Sequence, residues 1–245
     1  MKISATIVAL NEERNIARAI ESLRCADEIL VVDSGSTDGT REIAARLGAR
    51  VLTEAWRGYA GQKNFAAEQA ANDWILSIDA DESLTEELEA EILQLQRSTP
   101  AADAYDFPRM AQYLGRWILH SGWYPDRKIR LYHRGHARWV GEFVHESVRC
   151  EGQVAHLNGN LLHFTCSSLS EHTRTLDRYT TLAAREIVAR GRAVPITKLL
   201  VDPAWTFFRM YFLQRGFLDG PQGIAIAWMA ALYTFLKYAK ARLEG

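Results

Sequence analysis

The sequence predicts an α/β fold, a mostly parallel sheet with helices on both faces, followed by a helical C-terminal appendage. Two observations carry this. Apolar runs of strand length alternate with helix-spaced segments through roughly the first hundred residues, and such a β-α-β-α-β order demands a parallel sheet covered by helices. The last stretch, from Leu169 onward, returns to helical spacing and becomes strongly apolar and aromatic.

Ile3 to Leu10 is a buried-strand run, and Asn11 is placed to cap a helix on which Ile16, Ile20 and Leu23 recur. Glu28 to Val32 reads as a second strand, ending in Asp33-Ser34-Gly35-Ser36-Thr37-Asp38-Gly39, where Ser36 to Asp38 can cap the next helix. That helix carries Ile43 and Leu47 and closes at Gly48, where a left-handed residue is wanted. Arg50 to Thr53 is a short third strand and Gln62 to Ala71 a helix. Trp74 to Ile78 is a strand that delivers Asp79-Ala80-Asp81 to its carboxyl end. Ser83-x-x-Glu86 matches a capping box for a helix with Leu84, Leu88, Ile92 and Leu95 on one face. Residues 104–164 are rich in Trp, Tyr, His and Arg, and segments such as Lys128 to His133 read as antiparallel strands.

Hydrophobic residues make up 48% and charged residues 24%, which excludes a disordered chain. Acidic and basic residues nearly cancel, 30 against 29, so nucleic acid is not an expected partner. Cys25, Cys150 and Cys166 are odd in number and scattered, which suits a reducing cytoplasm better than a disulfide scaffold. The opening apolar run ends at once in Asn11-Glu12-Glu13 and reads as a strand, not an export signal.

Ligands of such sheets bind outside the carboxyl ends of the strands, where two polar clusters fall. Asp79 and Asp81 are two apart in an extended segment, so both can point to one side. Hard oxygens so placed suit Mg²⁺ or Mn²⁺ bridging to a nucleotide diphosphate, although an acidic strand-to-helix loop has the same pattern. The run from Asp33 to Gly39 is longer than a turn needs. A carboxylate or hydroxyl there could reach a base edge, and its glycines would let backbone approach a ligand. Lys63, in Gln62-Lys63-Asn64, could neutralise nucleotide phosphates, and Asn64 could hold the loop or the ligand, against an ordinary exposed helical start. Glu142 and Glu146 both have the chemistry of a general base, against an edge-strand salt bridge. His133 and His136 lack partners for a zinc site. Arg127, Lys128 and Arg130 alternate in a strand; Arg127 or Arg130 could meet a phosphate, and a solvated strand face explains them equally well.

Three segments, Ile7-Val8-Ala9-Leu10-Asn11-Glu12, Val32 to Thr40 and Trp74 to Glu82, resemble the family 2, GT-A-type glycosyltransferases in order and spacing. The resemblance implies a Rossmann-like GT-A fold and a nucleotide-sugar donor with inversion at the anomeric carbon. The implied donor contacts are Ala9, Asn11, Glu12, Asp33, Ser34, Ser36, Lys63, Asn64, Asp79 and Ala80. A divalent metal is implied at Asp79 and Asp81, with the late His163 recruited to it or else kept as a hydrogen-bonded core residue. Many members carry two acids at the end of the second strand. Here the second is Ser34, which leaves open whether Asp33 or Ser34 reads the uracil. Related bacterial sequences resemble the segment Trp139 to Glu146 in ending with His-Glu, here His145-Glu146, which points to Glu146 as base with Glu142 in reserve.

More closely, the chain resembles the lipopolysaccharide inner-core β-1,4-glucosyltransferases of Gram-negative bacteria, through Gly58 to Asn64, His145-Glu146 and Arg215 to Gly220. This implies UDP-glucose as donor and a heptose of a lipid-linked core glycan as acceptor, at the cytoplasmic face of the inner membrane. The expected organisation is a glycosyltransferase domain over 1–168, with a donor half 1–100 and an acceptor half 101–168, and a membrane-associating helical region over 169–245. Neither apolar run, Ala204 to Phe217 or Ile224 to Leu236, reaches the roughly 20 residues that span a bilayer. Core packing would explain them, but Arg209, Arg215, Lys237, Lys240 and Arg242 beside the aromatics favour interfacial, peripheral binding. Two alternatives stand beside this reading: transfer to a polyprenyl phosphate, and a non-catalytic sugar-nucleotide-binding assembly protein.

Overall fold

The computed structural model describes residues 1–141, 146–191 and 193–243. The chain gathers into two units, Met1–Arg109 with Asp126–His163, and Met110–Pro125 with Phe164–Gly245. The sequence predicts one break near 168; the segment 110–125 groups with the C-terminal helices.

The first unit opens with β1 (Ile3–Ala9), α1 (Ile16–Glu21), β2 (Glu28–Asp33), α2 (Thr40–Arg46), β3 (Arg50–Thr53), α3 (Tyr59–Gln69) and β4 (Trp74–Asp79). These strands lie in the order β3-β2-β1-β4, all parallel. Ile3, Ala5 and Ile7 of β1 are fully buried, and so are Leu30, Val31 and Val32 of β2. Strands covered on both faces carry such continuous apolar runs. Register then decides where the acids go. Ala9 pairs with Asp33 and Val8 with Asp79, so both carboxylates arrive at one edge, where the strand order reverses around β1.

Next come β5 (Glu82–Leu84), α4 (Glu86–Gln96), β6 (Ala104–Tyr113), β7 (Arg116–Trp117), β8 (Asp126–His133), β9 (Ala137–Val140), β10 (Ser147–Cys150), β11 (Val154–His156) and β12 (Leu161–Phe164). The sheet continues past β4 as β8-β6-β12-β5, with β8 antiparallel to both β4 and β6. β9 and β10 form a separate antiparallel pair. The antiparallel strand expected over 128–133 is therefore present as β8.

Two predicted caps are corrected. Ser83 does not open a capping box: it is extended in β5, paired with Leu162, and Leu84 lies in the strand with it. Thr85 caps α4 instead, its Oγ1 accepting from Leu88 N at 3.3 Å. Asn11 does not cap α1 either. It adopts φ 57°, a conformation Asn tolerates, and its Oδ1 accepts from Thr37 N at 2.9 Å, tying two loops together. At α2, Asp38 Oδ1 accepts from Thr40 N at 3.1 Å, and Gly48 takes φ +86° behind the helix.

In the second unit the end of β6 pairs with β7. The helices are α5 (Leu169–Ala189), α6 (Ile196–Phe208) and α7 (Gly220–Leu243). A π-helical turn, Arg209–Leu213, and a 3₁₀ turn, Gly216–Asp219, join α6 to α7. Ser168 caps α5 by accepting from Glu171 N. Buried Asp219 accepts from Leu119 N, His120 N and Ser121 Oγ at 3.1–3.2 Å, which fixes the loop after β7. Gly216 and Gly223 sit where a Cβ would overlap neighbouring backbone, so the helix entry closes tightly. No helix of the described residues is long and apolar enough to cross a membrane.

Candidate active site

The loops after β1 and β2 are built into each other. Asp33 is fully buried. Its Oδ1 accepts from Ser36 N at 2.9 Å and Gly35 N at 3.1 Å, and its Oδ2 from Ser36 Oγ. Ser36 Oγ in turn accepts from Asn11 N at 2.8 Å, and Thr40 Oγ1 from Glu12 N at 2.8 Å. Asp33 therefore builds its own turn, while Ser34, partly exposed, accepts from Gln62 Nε2 at 3.2 Å. Ala9 and Ala80 are buried small residues, at the carboxyl end of β1 and directly after β4.

Beside this loop pair lies a chain of alternating charges. Asp79 Oδ1 is 2.7 Å from Lys63 Nζ, and its Oδ2 is 2.9 Å from Arg130 Nη2. Arg130 Nη2 also meets Glu82 Oε1 at 2.8 Å, with Arg109 Nη1 at 3.5 Å from the same oxygen. Glu82 Oε2 accepts from the Asp79 backbone N at 2.9 Å. Lys63 reaches onward to Glu146 Oε1 at 3.4 Å. Trp139 packs under both cations, its ring 4.1 Å from Lys63 Nζ and 5.1 Å from the Arg130 guanidinium carbon. Asn64 holds that Trp in place: its Nδ2 donates to Trp139 O at 2.9 Å and its Oδ1 accepts from Trp139 N at 3.0 Å.

Burial alone would raise the Asp79 pKa, but Arg130 and Lys63 outweigh it and hold this carboxyl well below the usual range. Burial would lower Arg130, and Glu82 and Asp79 push it up instead. Glu12 behaves in the opposite way. Burial raises it, the Asn15 hydrogen bond opposes, and the charges of Asp81, Asp38 and Asp79 add to the rise. Glu12 thus feels the field of both acids of the Asp-x-Asp.

His163 Nε2 is 3.2 Å from Asp81 Oδ2. The pair arises because β12 runs antiparallel to β5 with His163 opposite Glu82, one residue beyond Asp81. His163 Nδ1 is buried and finds no hydrogen-bond partner among the described residues. A carboxylate oxygen and an imidazole nitrogen together suit a divalent cation, so these two residues fit the metal that the fold implies. Among the described residues no group of three His, Cys, Asp or Glu gathers around one point; Asp79 faces Lys63 and Arg130. Glu142 and His145 lie outside the described residues.

Sequence reasoning missed Glu82 and Arg109 as parts of the site and left Arg130 open. Glu82 was legible only as a third acid after the Asp-x-Asp, and its partner Arg130 is 48 residues away. Trp139 gave a signal only as the start of the segment that ends in Glu146.

The site lies at the reversal point of a parallel sheet, along a cation-bridged acidic edge. The glycosyl transferase family 2 model matches residues 4–150. The lipopolysaccharide core biosynthesis glycosyltransferase LpsC of Rhizobium meliloti is 36% identical over 247 residues, 98% of this chain and 92% of that one. An uncharacterized glycosyltransferase of Rickettsia typhi is 34% identical over 253 residues, covering 98% and 87%. Among solved structures, Staphylococcus aureus TarS 1–349 in complex with UDP-GlcNAc has a TM-score of 0.51, at 16% identity, over all of this chain and 82% of that one, which is a likeness of fold. The protein is a glycosyltransferase of GT-A fold, and the chain belongs to glycosyl transferase family 2.

Proposed function

We propose that this enzyme transfers glucose from UDP-glucose to a heptose of the lipopolysaccharide inner core, with inversion at the anomeric carbon. The relative from Rhizobium meliloti, named for lipopolysaccharide core biosynthesis over nearly its whole length, supports the acceptor class. The observation that carries the mechanism is Lys63, placed between Asp79 and Glu146.

Asp81 and His163 would hold a divalent cation, Mg²⁺ or Mn²⁺, with Asp79 nearby. Once bound, such an ion neutralises charge on the leaving diphosphate. Lys63 and Arg130 are the cations a diphosphate meets at this edge. Drawing Lys63 toward phosphate weakens its hold on Glu146. Glu146 then takes the proton of the acceptor hydroxyl as that oxygen attacks the anomeric carbon, and the electrons of the broken bond leave on the UDP oxygen. Asn64 and Trp139 position both cations. Ser34, a partly exposed residue, is better placed than the buried Asp33 to meet the uracil.

The helical unit exposes Leu200, Val201, Trp205, Phe208 and Phe212. Large exposed apolar area, with Arg209 and Arg215 in the same segment, suits the headgroup region of an anionic membrane and supports the reading of a peripheral enzyme at the cytoplasmic face.

The test is release of UDP from a panel of UDP-, GDP- and CMP-sugars, with Mn²⁺, Mg²⁺ or chelator, with and without truncated heptose-terminated lipopolysaccharide. The reading expects metal-dependent, acceptor-stimulated release from UDP-glucose alone and a β-linked product by NMR. Release from a different donor class, or an α-linked product, overturns it.

A further inference from the structure

We propose that the helical unit holds the hydrocarbon chain of a phosphate-bearing lipid in a cavity between α5, α6 and α7. The inference stands apart from the transfer reaction, since it uses none of the donor-site residues.

The cavity measures about 590 Å³, within the range of pockets that enclose small ligands. Its floor is apolar, with Leu176 from α5, Met210 from the π-helical turn, and Ile226, Met229 and Ala230 from α7. Trp205 of α6 belongs both to this wall and to the outer face, where it is 54% exposed on the same helix as the still barer Leu200 and Val201. The cavity is therefore continuous with the apolar surface, as an entry for a chain leaving a bilayer would be.

The charged lining selects the headgroup. Lys237 and Arg209 line the cavity, and Lys198 lies beside it with Nζ 5.3 Å from the Tyr238 ring. Lys237 Nζ is 4.9 Å from that same ring and 5.5 Å from Tyr233. Asp202 is the single carboxylate among the described lining residues, so cations outnumber it. Burial lowers the Lys237 pKa; the charge of Asp202 opposes the fall and that of Lys198 adds to it. A neutral sugar would leave that excess positive charge uncompensated; a phosphate matches it. The lipid phosphate could belong to a bilayer phospholipid or to the lipid anchor of the acceptor itself, and the chemistry of the site is the same for both.

The experiment titrates the full-length protein by calorimetry with lysophosphatidic acids of increasing chain length, below micelle formation, and with matched monoacylglycerols. The expected result is one saturable site per chain, with affinity rising roughly fourfold per added methylene until the cavity is full, and about tenfold preference for phosphate. Ala230→Phe should weaken binding at least about tenfold at unchanged circular dichroism. Lys237→Gln should abolish the phosphate preference while leaving the monoacylglycerol affinity in place, which guards against a folding defect in the first variant. Competition then separates the sources: displacement by truncated lipopolysaccharide assigns the acceptor's anchor, and displacement by phosphatidylglycerol a bilayer lipid. Non-saturable uptake, chain-length dependence unaltered in Ala230→Phe, or equal affinity for phosphate and neutral headgroups overturns the proposal.

Discussion

Lys63 Nζ lies 2.7 Å from Asp79 Oδ1 with the lysine side chain only 5% exposed. A buried ammonium needs anionic partners, and this one has two, Asp79 and Glu146, from different parts of the chain. Replacing Lys63 with Met removes this ammonium from both acids and leaves Asp79 with Arg130 at 2.9 Å. Stability should fall by about 2 kcal/mol in chemical denaturation, and UDP release from the donor by at least about 100-fold. Turnover within twofold of wild type would remove Lys63 from the mechanism.

Arg130 is the second test of the charge chain. Glu82 is fully buried, and Arg130 at 2.8 Å is its main cation, Arg109 standing off at 3.5 Å. Arg130→Met should cost about 3 kcal/mol because a buried carboxylate loses its partner. Adding Glu82→Gln should recover most of the loss, a coupling that a double-mutant cycle reads directly. Additive losses would mean that the two residues act separately.

Asn64 makes both of its hydrogen bonds to the backbone of Trp139. Asn64→Ala should cost about 2 kcal/mol by leaving these groups unpaired, and should loosen the ring beneath Lys63. The expected kinetic signature is a lower kcat with little change in nucleotide affinity. A pure loss of nucleotide affinity would instead mean that Asn64 contacts the donor.

Glu28 gives a pH test away from the catalytic edge. Burial would raise its pKa. Hydrogen bonds from Ser4 Oγ at 2.6 Å and Ala71 N at 2.7 Å, with Arg50 at 2.8 Å, outweigh burial and lower it. A folded value below the unfolded value, about 4.3 for a free Glu, means that stabilisation is fully present above that pH. It is lost as pH falls through the lowered folded value. Wild type and Glu28→Gln should therefore differ in unfolding free energy at pH 7 and converge below about pH 4. A constant gap across that range would show that Glu28 does not titrate as described.

The exposed face of α6 predicts membrane behaviour. Trp205→Ser with Phe208→Ser should reduce flotation with phosphatidylglycerol vesicles about tenfold while leaving UDP release from soluble donor intact. Binding should also weaken as salt is raised, since Arg209 and Arg215 lie beside these aromatics. Unchanged flotation would leave this face without a role at the membrane.

The parallel half of the fold was legible because β1, β2 and β4 are near-continuous apolar runs, and their polar ends mark where ligands go. Local capping was less legible. Ser83 has the spacing of a capping box, yet pairing with Leu162 draws it into a strand, and a partner so distant in sequence leaves no local trace. Asn11 failed for a related reason: its side chain serves Thr37 across the loop pair, not its own helix. At the site, Lys63, Asp79, Asp81 and His163 were named from sequence, and the structure brings Lys63 to Asp79 and Asp81 to His163. The Glu82–Arg130 link was not foreseen. An Arg in an alternating basic strand carries no mark of burial until the register of β8 against β4 and β6 is known.

The central claim, that Glu146 removes the acceptor proton, is tested most directly by Glu146→Gln. UDP affinity and acceptor-stimulated UDP release from UDP-glucose would be measured on the same preparation, with Glu142→Gln as comparison. The account predicts UDP affinity within about twofold of wild type and a release rate lower by at least about 100-fold in Glu146→Gln, with Glu142→Gln within about threefold. A Glu146→Gln enzyme that keeps near wild-type turnover, or a large loss confined to Glu142→Gln, would contradict it.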